Sequence, residues 1–91
     1  MAEKTFWVYM LLCENGSLYT GYTNDLAKRF DSHVNGTASK YTRGFKPLRI
    51  AQSWQINTGK SHAMRIERYI KKLSRAEKEE IIKNPELLMV S

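Results

Sequence analysis

One cysteine, two histidines and two prolines in 91 residues rule out several kinds of protein at once. Cys13 cannot form an internal disulfide, and it lies in an apolar run, so it reads as a core residue of a protein in a reducing, cytoplasmic setting. With only His33 and His62 beside it, at no close ligand spacing, a structural zinc site is excluded. The longest apolar run, Phe6 to Cys13, is too short to span a bilayer. It stands behind Lys4 as a signal-peptide core would, but Glu14-Asn15-Gly16 follows it where a small-residue cleavage site belongs. No membrane role is expected. Gly59-Lys60-Ser61 has the ending of a phosphate-binding P-loop, yet Trp54 occupies the position of that motif's first glycine. There is no Ser-His-Asp set, internal repeat, low-complexity tract or long linker.

Acidic residues are scarce where basic ones crowd. Between Lys40 and Lys78 the chain carries eleven lysines and arginines against Glu67 and Glu77 alone, and its net charge is +6. A basic half of this kind is the electrostatic footprint of a polyphosphate partner, which points to nucleic acid, DNA before RNA. Glu67 is the only acid between Asp31 and Glu77. It stands four residues before Lys71, which leaves it either a salt bridge or a metal ligand.

The length and 42% hydrophobic content suit one domain over residues 1–91, with its core in about 6–83 and a short tail over 84–91. Phe6–Cys13 and Leu18–Tyr22 flank Glu14-Asn15-Gly16-Ser17, a β-hairpin signal. Both alternating sets of the first run are apolar or aromatic, so this strand is expected to be central and covered on both faces. Gly21 interrupts the second strand, either to let a helix pack closely or to clear space for a phosphate beside Tyr19.

A first helix is expected from about Asp25 to Val34, capped by Thr23 or Asn24 and stopped by Asn35-Gly36. Leu26, Ala27, Phe30 and Val34 would share its inner face, with Arg29 and His33 together at the margin. The stretch from Asn35 to Pro47 reads as a basic surface loop in which cations and aromatics alternate. Tyr41 and Phe45 would either stack on exposed bases or tuck back to anchor the loop. Leu48–Trp54 reads as a third strand. A second helix follows, capped by Ser61 and reaching about Leu73, with Ala63, Ile66, Tyr69, Ile70 and Leu73 inward and Glu67 at the edge of that stripe. Ser74-Arg75-Ala76-Glu77 is a capping box opening a third helix, which Asn84-Pro85 ends.

Val8-Tyr9, then Tyr19-Thr20-Gly21 ten residues on, then Arg29, His33 and Glu67, together resemble the signature of the GIY-YIG nuclease family, and the likeness runs from about residue 6 to 80. The chain is similar in particular to the short, standalone, single-domain bacterial members. The resemblance implies an α+β fold, a three-stranded antiparallel sheet flanked by helices in the order β-β-α-β-α-α. It implies a metal-dependent endonuclease hydrolysing phosphodiester bonds in DNA, with repair or branched structures among its candidate substrates. Tyr9, Tyr19, Arg29, His33 and Glu67 take its catalytic positions. Glu67 would hold a divalent ion, Mg2+ or alternatively Mn2+, and Arg29 would neutralise charge developing on the phosphate. Tyr19 or Tyr9 would orient or deprotonate the attacking water, with His33 assisting. Gly21, Lys40, Tyr41, Arg43, Lys46, Lys60 and Arg65 are the nucleic-acid-binding candidates.

The chain departs from the pattern at several positions, Thr20 standing for the isoleucine of Tyr-Ile-Gly among them. Trp7-Val8-Tyr9 stands for Gly-Ile-Tyr, Tyr22 stands where many members have lysine, and Glu79 stands where many have asparagine. The alternative reading is a non-catalytic or weakly catalytic nucleic-acid-binding module of the same fold. In either case targeting would come from the chain's own basic surface, from self-association or from a protein partner.

Overall fold

A strand that is apolar on both faces must be covered on both, and β1 (Phe6–Cys13) lies in the middle of the sheet with helices on either face. In the computed structural model, which describes residues 5–38 and 40–88, the strand order is β2-β1-β3 and both pairings are antiparallel. β2 spans Leu18–Thr23 and β3 spans Pro47–Ile56, two residues longer at its end than the apolar run alone suggests. The turn between β1 and β2 is closed by Gly16 N–H donating to the Cys13 carbonyl at 2.8 Å. Gly16 stands at φ +84°, where a side chain would be strained.

One face of the sheet carries the larger core. Val8 and Met10 of β1 and Trp54 and Ile56 of β3 meet Ala63 and Ile70 of α3 (Lys60–Lys71) and Ile81 of α4 (Arg75–Lys83). Burial of Val8, Met10 and Ile70, each fully enclosed, contributes about 1.5–3 kcal/mol apiece. A 3-10 turn, Pro85–Leu87, closes the chain, and the buried Trp54 indole N–H donates to the Pro85 carbonyl at 2.9 Å. That bond ties down part of the expected tail. Leu88 packs against the core, while Leu87 is exposed and Met89 lies outside the described residues.

On the other face Tyr9, Leu11 and Cys13 are buried; His33 of α1 (Leu26–Val34) reaches Tyr9, and α2 (Lys40–Gly44) packs against α1. Helix α1 begins one residue later than expected. Its cap is Asp25, whose carboxylate accepts from Lys28 N–H at 3.1 Å, because Thr23 Oγ1 is already occupied with Asp25 N–H in the preceding turn. Its phase also differs from the expected one. Ala27 and Val34 are exposed, and His33 is the buried residue of the helix.

The expected loop between Asn35 and Pro47 contains α2, a five-residue helix too short for periodicity to mark. Helix α3 starts at Lys60, with Gly59 as its cap at φ +102° and no side-chain cap, so Ser61 is an exposed residue of the first turn. The helix ends at Lys71, and Tyr69, assigned to its apolar stripe, is 57% exposed. The Ser74–Glu77 capping box is fully formed. Among the described residues, no helix is long and apolar enough to cross a membrane.

Candidate active site

Tyr9 is the centre of a chain of contacts that starts with a glycine. Gly21 pairs with Tyr9 across the β1–β2 ladder, and the phenol lies directly over it. A Cβ at position 21 would sit 2.5 Å from Tyr9 Oη and 2.8 Å from Cζ. The glycine interrupts β2 to make room for the Tyr9 ring, rather than for a helix or directly for a phosphate. The ring is only 2% exposed, so its hydroxyl needs a partner.

That partner is His33, reaching down from α1, with Nε2 2.8 Å from Tyr9 Oη. On the far side of the imidazole, Nδ1 lies 2.8 Å from Oγ1 of Thr42, a fully buried residue of α2. Tyr19 adds its ring edge to His33, the two centroids 5.1 Å apart. His33 is thus not at the helix margin beside Arg29 but enclosed, with both nitrogens engaged. Burial, followed by the Arg29 guanidinium, pushes its pKa below the ordinary histidine value, so the ring is neutral near pH 7. Burial, then the neighbouring Tyr19 hydroxyl and, more weakly, the Glu67 carboxylate, push Tyr9 well above the ordinary phenol range. Arg29 works in the opposite direction.

These side chains open onto a cleft of about 480 Å³. Tyr9, Tyr19 and Tyr22 line it from the sheet, Arg29 and His33 from α1, and Lys60 and Glu67 from α3. Arg29 is exposed, which leaves its guanidinium accessible to an anion. The Glu67 side chain is 16% exposed and lies 3.4 Å from Nζ of the exposed Lys71. That separation is longer than a charge-assisted hydrogen bond of about 2.8 Å. Among the described residues, no three His, Cys, Asp or Glu side chains cluster as a metal cage.

The model of the GIY-YIG catalytic domain matches residues 5–80. The chain belongs to the GIY-YIG family. It is 45% identical over 76 residues to UPF0213 protein BH0048 of Halalkalibacterium halodurans, covering 84% of this chain and 80% of that one. It is 40% identical over 84 residues to the GIY-YIG domain-containing protein 242L of Invertebrate iridescent virus 6, covering 91% of this chain and 85% of the viral one. The solution NMR structure of UPF0213 protein BH0048 from Bacillus halodurans matches with a TM-score of 0.56 at 43% identity, over 87% of this chain and 83% of that one.

The five residues that the resemblance singles out, Tyr9, Tyr19, Arg29, His33 and Glu67, all line this cleft, though they come from β1, β2, α1 and α3. Of the binding candidates, Gly21 and Lys60 also line it. Arg65 does not. It lines a second groove with Tyr69 on the other flank of α3. Lys46 is exposed beside the hairpin turn, where its carbonyl accepts from Glu14 N–H. That end of β1 is four residues from Tyr9, roughly 13 Å away. Lys40 is exposed at the start of α2. The side chains of Tyr41 and Arg43 lie outside the described residues.

Two departures from the GIY-YIG pattern have structural correlates. Tyr22, where many members carry lysine, packs its ring against Phe6, and the cleft's ammonium is that of Lys60 on α3. Glu79, where many carry asparagine, is engaged by Arg75 Nε at 2.9 Å on the exposed face of α4. Thr42 was invisible in the sequence as a site residue, because the helix that carries it leaves no periodic trace.

Proposed function

We propose that this cleft hydrolyses phosphodiester bonds in nucleic acid, DNA in the first instance. The observation that carries the reading is the meeting of Arg29, Lys60, Glu67 and two tyrosines at one open cleft, with a buried neutral histidine behind them. Arg29 and Lys60 bind and orient the phosphate, and Arg29 stabilises the negative charge that grows on it during attack. Glu67 fits a Mg2+ or Mn2+ ion, because such an ion takes one or two carboxylates and fills its remaining positions with water and phosphate oxygen. When bound, the ion supplies Lewis-acid polarisation of the phosphate.

The proton path follows from the neutral imidazole. It has one donor and one acceptor nitrogen. Tyr9 keeps its proton and donates it to Nε2, which places the ring proton on Nδ1 facing Thr42 Oγ1. The remaining lone pairs of the Tyr9 oxygen then accept from the attacking water. As water yields its proton to Tyr9, Tyr9 passes its own to His33, and no free phenolate forms. Tyr19 packs against both the cleft and His33 and keeps the relay in place.

The Glu67–Lys71 pair favours a second reading, a binding module in which the carboxylate is held by lysine rather than by metal. Cleavage of labelled single-stranded, duplex, nicked and branched DNA with magnesium or manganese separates the two. Under the nuclease reading the wild type cuts and Glu67→Gln binds without cutting. If neither cuts and both bind with steep salt dependence, the binding module is correct. A role at repair or branched structures, a cytoplasmic setting suited to the buried free Cys13, and targeting by a partner or by self-association complete the proposal.

A further inference from the structure

The larger groove on this chain is not the one that holds Tyr9 and Glu67. It measures about 670 Å³ and is lined by Ile56, Ile66 and Leu88, together with the exposed side chains of Arg65, Tyr69 and Leu87. Tyr69, at 57% exposure, offers much of an aromatic ring to whatever enters. Beside it stand polar groups able to meet a base edge, the amides of Gln55 and Asn57. His62 is there too, in contact with Thr58. Among the described residues, no acid lines the groove.

Helix α3 connects this groove to the cleft. At about 100° per residue, Lys60 and Glu67 project within about 20° of each other, while His62, Arg65, Ile66 and Tyr69 project to nearly the opposite side. The arc between them on the solvent side carries Lys71, Arg68, Lys72 and Arg65 in succession, all exposed. A cationic path about one helix diameter wide, roughly 10 Å, therefore joins the two.

We infer that a nucleic-acid strand leaving the cleft crosses α3 along this path and lays an unpaired base in the second groove, stacked on Tyr69. This rests on the reading of the cleft as a nucleic-acid site and names its substrate class as a strand with unstacked bases beside the scissile phosphate. A polyanion is favoured over a protein segment because the described lining holds Arg65 and no acid, and because three further cations, Lys71, Arg68 and Lys72, lead to it. A single strand is favoured over a duplex because an apolar groove with an aromatic wall gains only from a base whose faces are uncovered.

The test is fluorescence anisotropy of a labelled oligothymidylate and of a blunt duplex, each at several salt concentrations. The proteins are the wild-type chain, Tyr69→Ala, Tyr69→Phe and Arg65→Gln, with melting temperatures measured to show that each is folded. Tyr69→Ala raises the single-strand Kd about tenfold, leaves the duplex Kd within about twofold, and does not change the salt slope. Tyr69→Phe binds as wild type. Arg65→Gln lowers the salt slope by about one. The inference is overturned if folded Tyr69→Ala binds the single strand within about twofold of wild type, or if it loses duplex and single strand equally. It is also overturned if Tyr69→Ala abolishes self-association in sedimentation while single-strand binding is unchanged, since the occupant is then a second copy. Cleavage that fails while Tyr69-dependent binding persists sinks the cleft reading and leaves the groove standing. Intact cleavage with Tyr69-independent binding does the reverse.

Discussion

Gly21→Ala tests the arrangement of the site at its tightest point. Gly21 is not at positive φ, so by backbone entropy alone alanine should stabilise the strand by about 0.4–1 kcal/mol. The packing says the opposite. The new Cβ would meet Tyr9 Oη at 2.5 Å, whereas an ordinary contact is roughly 3.5 Å, so the ring must retreat by about 1 Å. Overpacking of this kind costs about 1–3 kcal/mol. The retreat also stretches the 2.8 Å Tyr9–His33 bond past hydrogen-bonding range, for about 1 kcal/mol more. The net is a loss of about 2 kcal/mol, or a fall in Tm of about 8–16 °C for a domain of this size, measured by circular dichroism. Metal-dependent cleavage should drop by about a hundredfold, the usual consequence of misplacing a reacting group by 1 Å. In a Tyr9→Phe background the Tm penalty should shrink, because the nearest clashing atom is the hydroxyl oxygen. A Gly21→Ala protein that melts at or above the wild-type temperature would refute the account of why the glycine is there.

Three other outcomes follow from the same structure. Thr20 Oγ1 is buried on the core face with no hydrogen-bond partner, so Thr20→Val should stabilise the fold by about 1 kcal/mol, read as a higher midpoint in urea at unchanged m. His33 has a folded pKa below its unfolded value, so its contribution to stability is complete above about pH 6.5 and is lost as pH falls from there toward the folded pKa; stability and cleavage should decline together across that acid window, and the stability part of the decline should vanish in His33→Asn. Thr42→Val should move the acid limb of the pH–cleavage profile and lower kcat with little change in KM, while Thr42→Ser restores both; an unchanged profile in a folded Thr42→Val would remove Thr42 from the relay.

Features that the sequence disclosed are those satisfied within a few residues. Asn15-Gly16 closes its hairpin, Asn35-Gly36 ends α1 with Gly36 at φ +78°, and Ser74 and Glu77 cap α4 reciprocally. Each is local chemistry, readable from adjacent letters. The motif residues Tyr9, Tyr19, Arg29, His33 and Glu67 were legible by resemblance, and so was the sheet with its helices. Their environment was not. Whether His33 stands at the margin of α1 or beneath it depends on helix phase, set by what α2 and the sheet offer to each imidazole nitrogen. Apolar spacing cannot report that, since a histidine occupies an inward position. Tyr69 fell on the apolar stripe by periodicity, yet the core is already filled by Ala63, Ile70 and Ile81, and the ring is left outside. Gly21 reads as space for a helix or for a phosphate because its occupant, Tyr9, is twelve residues away in sequence and directly opposite only in the folded ladder.

Helix α2 has a consequence of a different kind. Five residues cannot hold a helix in water on their own, so this segment is folded only because the rest of the molecule holds it there. Its Thr42 hydroxyl is nonetheless what faces the last buried nitrogen of His33. A saturation scan of cleavage activity should therefore show two islands of sensitivity, one over the motif and one over Lys40–Gly44, and substitutions in the second would act without meeting the substrate. Sequence drift in a stretch that reads as an ordinary surface loop would then reset the acidity at which the tyrosine works, giving relatives with the same five motif residues different pH optima.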